Sequence, residues 1–237
     1  MGRAIPASLA VVAIAAVVGA AVWWHAHPGS NPLRQSVPST PPAAATGTPG
    51  YDRARADAEK LSVKGWDLTT DFARARFGEA WSDDVNVEFG HNGCNTRDDI
   101  LRRDLADLQV RPGTCFAQSG VLHDPYTGAT IDFIRGPDTS STVQIDHVVS
   151  LSDAWFKGAR QWDDQRRRDF ANDPRNLLAV GGQVNFDKAF RDVGSWLPPN
   201  PAFRCAFVGR VVEVKTAYQL WVSANEKDAM RRVLRDC

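Results

Sequence analysis

The chain predicts an α+β fold, mainly helical and gathered around a small antiparallel sheet. Three observations carry this. Thr96-Arg-Asp-Asp99 has the capping-box form and is followed by Ile100, Leu101, Leu105 and Leu108 at helical spacing. The runs Cys115–His123 and Ala129–Arg135 are strand-like and flank Asp124-Pro-Tyr-Thr-Gly128, a hairpin turn. Ser223-x-x-Glu226 is a second capping box, opening a last helix toward Cys237.

Taken in order, residues 4–24 are uncharged, rich in Ala and Val, and end in Trp23-Trp24. Such a segment reads as a signal peptide or an N-terminal membrane anchor occupying residues 1–26. Either places the remainder outside the cytoplasm, secreted or held on the outer face of the membrane. Residues 27–50 are Pro, Ser, Thr, Ala and Gly with almost no large apolar side chains, the composition of a disordered linker. From Tyr51 to Lys64 a thin apolar stripe predicts a helix that Gly65 stops. The helix that starts at Thr96 is expected to run on past Leu108 until Pro112-Gly113 ends it. Val143–Val149 reads as a strand, Ser152–Trp162 and Asp164–Ala171 as inserted helices, and Asn176–Val180 as a second strand. Gly181-Gly182 then turns into a helix from Gln183 to about Arg191, and a long helix runs from about Ala202 to Val222.

Residues 51–237 suffice for one domain with a single good-sized core. Formal net charge is zero, so any contact with a polyanion must come from a local basic footprint. The four cysteines, Cys94, Cys115, Cys205 and Cys237, contain no C-x-x-C pair, which argues against a zinc ribbon. Behind an export segment they read as two disulfides. Three pairings are open, and local closure favours Cys94–Cys115 with Cys205–Cys237. No fingerprint for an organic cofactor is present.

The chemistry gathers between Val143 and Lys188. Ile145-Asp146-His147-Val148-Val149 puts a carboxylate beside an imidazole at the end of an apolar run. Asn176-Leu177-Leu178 opens the next strand, and Asn185-Phe186-Asp187-Lys188 spaces an Asn and a Lys by three on one helical face. With GHNGCNTRDDILRRDL, DPYTGATIDFIRG and WLPPNPAFRCAFV, this ordered set resembles the secreted HNH (His-Asn-His type) proteins related to the C-terminal nuclease domain of GmrSD-type restriction enzymes. The resemblance covers residues 51–237 and implies a ββα-metal unit over residues 143–191. It departs at Ala189-Phe190, where the family often has a small or acidic pair.

That resemblance implies an endonuclease acting on nucleic acid, most simply DNA, with little sequence preference. By it, His147 is the general base, Asp146 and Asn185 are the metal ligands, Lys188 reaches a phosphate oxygen, and Asn176 holds the loop that carries His147. One carboxylate and one amide oxygen suit Mg²⁺, or Mn²⁺, better than Zn²⁺. Neighbours on a regular strand face opposite ways, so a break is expected at Asp146–His147. Arg166, Arg167 and Arg168 stand between the two halves of the site and read as contacts to a nucleic-acid backbone. Arg97, Arg102 and Arg103 read as a solvated helix face, and the tryptophans as core. The alternatives are a non-catalytic cell-surface binding module on the same fold, or an RNase or other phosphodiesterase using the same site.

Overall fold

Short polar side chains set most helix starts in residues 51–237, the part of the chain described by this computed structural model. The expected export segment and linker, residues 1–26 and 27–50, lie outside the described residues. After α1 (Asp52–Lys60), α2 (Thr96–Asp104) begins where Asn95 accepts from the Asp98 amide. The cap is thus one residue before the expected Thr96, whose hydroxyl donates to the Ser82 carbonyl at 3.0 Å. Ser150 accepts from Asp153 N ahead of α3 (Leu151–Phe156), and Asp163 from Arg166 N ahead of α4 (Asp164–Asn172). α5 (Gly182–Lys188) and α6 (Arg204–Tyr218) follow, and Ser223 caps α7 (Ala224–Arg235) through the Glu226 amide. Each such cap satisfies an amide that the first helical turn leaves without a partner.

The sheet content differs from expectation. α2 stops at Asp104, and β1 (Leu105–Val110) continues as a strand pairing antiparallel with β2 (Ala117–His123), which pairs with β3 (Thr130–Ile134). Leu105 and Leu108 are helically spaced, but strand pairing with β2 satisfies the backbone of residues 105–110 and overrides the local pattern. A second antiparallel pair, β4 (Val143–His147) with β5 (Leu177–Gly181), forms a separate two-stranded ribbon.

That ribbon separates two apolar cores. Leu177 and Ala179 of β5 join Ile100, Leu101, Phe133, Val143 and Ile145, while Leu178 and Val180 join the larger core of α1, α6 and α7. The alternation follows the two-residue period of a strand buried on both faces. α5 packs back directly: a Cβ on Gly182 would collide with the Ser141 carbonyl, so only glycine allows this close return. The disulfides are Cys94–Cys115 and Cys205–Cys237, with Cα separations of 5.6 and 5.9 Å, as local closure predicts. Among the described residues no helix is long and apolar enough to cross a membrane.

Candidate active site

β4, β5 and α5 together form the two strands and the helix that the family resemblance implies, and they carry the candidate residues. The expected strand break is absent. β4 runs through His147, with Asp146 opposite Leu178 and His147 opposite Leu177 in unbroken register. Asp146 and His147 therefore leave on opposite faces, one toward Tyr126 and Lys188, the other toward Trp81 and α4. Both still line one cavity at the end of the ribbon, of about 440 Å³.

Asp146 is held at each oxygen. Its Oδ1 accepts from Lys188 Nζ at 3.0 Å and its Oδ2 from the Tyr126 hydroxyl at 2.5 Å. Burial nevertheless pushes its carboxyl above the ordinary value, with the Lys188 ammonium opposing the shift. Lys188 is fully buried and also donates to the His147 carbonyl at 2.8 Å. It is not among the residues that line the cavity, and both its described partners, Asp146 and the His147 carbonyl, are buried. Its three-residue spacing from Asn185 is helical as expected, but the end of α5 turns it inward to compensate a buried carboxylate.

His147 is oriented from two sides. Its Nε2 contacts the Ala171 carbonyl at 2.8 Å, and because a carbonyl only accepts, Nε2 carries the proton and Nδ1 keeps the lone pair. The Trp81 ring lies nearly parallel to the imidazole, with centroids 5.9 Å apart at 14°. Burial lowers its pKa to about 3, the Ala171 carbonyl working against this and the Arg74 charge adding to it. The ring is neutral over the whole physiological range.

Asn176, also fully buried, brackets Val149: its Oδ1 accepts from the Val149 amide at 2.9 Å and its Nδ2 donates to the Val149 carbonyl at 3.2 Å. The side chain thus acts as a strand partner for the loop that leaves His147. Asn185 lines the cavity, and its Nδ2 donates to Gln144 Oε1 at 2.8 Å, leaving Oδ1 as its available acceptor. The donor chemistry is of the kind a hard divalent cation takes: Asn185 offers an amide oxygen and Asp146 a carboxylate whose oxygens retain lone pairs beside their present donors, and these two would hold it.

The three inserted arginines do not converge here. Arg166 donates to the Tyr218 carbonyl and lies over Trp162, Arg167 donates to the carbonyls of Arg76 and Trp162, and Arg168 donates to Gln165. The basic lining comes instead from Arg74 and Arg97. Arg97, expected on a solvated face, is half-buried and donates to the Ser140 and Val143 carbonyls. Arg103 likewise donates to the Pro174 and Leu177 carbonyls, tying α2 to the ribbon. Sequence reasoning also missed Tyr126, Trp81 and the Ala171 carbonyl. Tyr126 lay within a motif read only as a turn; nothing local marks the other two.

Asp153, Asp192 and Glu226 form a second acidic cluster with metal-like spacing. Lys157 Nζ contacts all three within 2.7 Å, and Lys215 Nζ contacts Asp153 and Glu226 at 2.7 Å. The two ammoniums occupy the positions a cation would take, so the cluster is a buried ion-pair network joining α3, α6 and α7.

A protein of Arthroderma benhamiae described as an uncharacterized secreted protein is 42% identical over 146 residues, covering 61% of this chain and 68% of its own length. No solved structure matches. The family model of GmrSD restriction endonucleases, C-terminal domain, matches residues 95–233, which takes in all five strands of the described residues and the whole β4–β5–α5 unit. The chain belongs to the family of GmrSD restriction endonuclease C-terminal domains, a nuclease-related family.

Proposed function

We propose that this protein is an exported, divalent-metal-dependent endonuclease that hydrolyses DNA with little sequence preference. The observation that carries the reading is the convergence of Asp146, His147 and Asn185 on one cavity that Arg74 and Arg97 also line. His147 acts as general base: Ala171 holds its Nε2 proton, so Nδ1 takes a proton from the attacking water. The low basicity of the buried ring rises when a phosphate anion arrives, since negative charge favours the imidazolium. Asp146 and Asn185 would hold Mg²⁺ or Mn²⁺, which when bound supplies Lewis-acid stabilisation to the phosphate and the leaving oxygen. Lys188 and Tyr126 fix the Asp146 carboxylate, and Arg74 and Arg97 attract the backbone phosphates.

In this reading residues 1–26 direct export, 27–50 act as spacer, and 51–237 form the nuclease domain around the 143–191 unit. Two disulfides and a relative described as secreted support an oxidising, extracellular setting. The test is plasmid nicking by the purified protein with Mg²⁺ and with EDTA, beside His147→Ala. Cleavage that requires both metal and His147 is the expected result. No cleavage by the folded, oxidised protein with Mg²⁺ or Mn²⁺ would count instead for a non-catalytic binding module.

A further inference from the structure

Phe186 and Phe190 are 78% and 62% exposed, two of the three most exposed large apolar side chains among the described residues, and both stand at the end of α5. A scattered exposed Phe needs no explanation. These two differ because the backbone is strained to present one of them. Ala189 sits at φ +51°, ψ −126°, a costly conformation for a residue with a Cβ. The turn is pinned on both sides: the Ala189 amide donates to the Asn185 carbonyl at 3.0 Å, and the Ser150 hydroxyl donates to the Phe190 carbonyl at 3.3 Å. Phe190 thereby joins the lining of the cavity that holds Asp146, His147 and Asn185, with Phe72, Trp81, Arg74 and Arg97 also on its walls. Arg74 is exposed and makes no hydrogen bond among the described residues, so its charge is available to a phosphate.

We infer that Phe190 is a stacking platform for an unpaired nucleobase, and that the substrate class is single-stranded or locally unpaired nucleic acid. The inference rests on the nuclease reading above and narrows it. An open aromatic face beside a cationic wall matches the two halves of a nucleotide, an apolar base on an anionic phosphate. In a duplex the base faces are covered by their neighbours, so a protein ring stacks only on a base that has left the stack. The same strained turn that exposes Phe190 follows Asn185 by four residues, so a base held there lies next to the phosphate at the candidate centre.

The experiment compares the purified protein with Phe190→Leu and Phe190→Trp on a labelled single-stranded DNA oligonucleotide and on its duplex, with Mg²⁺. Binding of a 2-aminopurine oligonucleotide is followed by fluorescence quenching in parallel. The expected result is faster cleavage of the single strand, a loss of about 10-fold in single-strand cleavage and in quenching affinity for Phe190→Leu, and retention by Phe190→Trp. Plasmid nicking by the wild type with no strand preference, and no loss in Phe190→Leu, would overturn the platform and leave the nuclease standing. Quenching that Phe190→Leu abolishes, without cleavage of any substrate, would keep the platform and overturn the nuclease. A change in sedimentation of Phe190→Leu with unaltered single-strand cleavage would assign the aromatic pair to a protein contact and overturn the inference.

Discussion

Asn176 serves Val149 as a neighbouring strand would: one amide group accepts the Val149 N–H at 2.9 Å and donates to its C=O at 3.2 Å, both buried. β5 begins only at Leu177, so the Asn176 side chain extends the pairing two residues past His147. Removing it leaves two buried backbone groups without partners. Asn176→Ala is expected to cost about 2–4 kcal/mol in urea unfolding. A cost below about 0.5 kcal/mol, the usual range of surface changes, would mean that Val149 finds other partners.

Lys188 and Asp146 are expected to behave as one unit. Lys188→Met strips a buried carboxylate of its ammonium partner, and should destabilise by about 3–5 kcal/mol. Adding Asp146→Asn removes the orphaned charge, so the double variant should be more stable than Lys188→Met alone. A double-mutant cycle from denaturant midpoints measures this coupling, and strict additivity would show that the pair is not energetically joined.

The buried imidazole predicts acid lability. His147 has a folded-state pKa of about 3 against an ordinary 6.5, so below pH 6.5 the unfolded chain binds a proton that the folded chain refuses. Stability therefore falls as pH drops from about 6.5 toward 3, by about 1.4 kcal/mol per unit from this group. Carboxylates contribute to the acid limb in any variant. The checking measurement is the difference in unfolding free energy against pH between wild type and His147→Asn, which should shrink as pH falls from 7 to 4. Parallel curves would place the ring in contact with solvent.

The Cys205–Cys237 bridge joins the start of α6 to the C-terminal residue across a separation of 32 residues. Replacing both cysteines by Ser should lower stability by about 3–4 kcal/mol through the added freedom of the unfolded chain. Thermal unfolding of the oxidised wild type and the double variant, both without reductant, reads this directly. An unchanged midpoint would indicate that α1, α6 and α7 already hold the terminus.

Much of the frame was legible in the residues. The β2–β3 hairpin follows from its turn chemistry, the starts of α4 and α7 from Asp and Ser caps, and the two strands of the β4–β5–α5 unit from the apolar runs Val143–Val149 and Leu177–Val180. The misread segment was β1, where helical spacing at Leu105 and Leu108 lost to pairing with a strand a dozen residues away. The arginines were misplaced for a related reason. Charge in a sequence does not say whether a guanidinium meets solvent or a carbonyl, and Arg97, Arg103 and Arg167 all meet carbonyls.

By itself the sequence determined the α+β class and the disulfide count, which depend on residue type and short spacing, while its family resemblance named the carboxylate, imidazole and amide groups that line one cavity. Only the tertiary structure decided that Lys188 turns inward onto Asp146, that Ala171 and Trp81 orient His147, and that Arg74 and Phe190 wall the cavity. Those contacts join segments far apart in the chain. Their geometry comes from how two cores press on a two-stranded ribbon, and no local pattern encodes that.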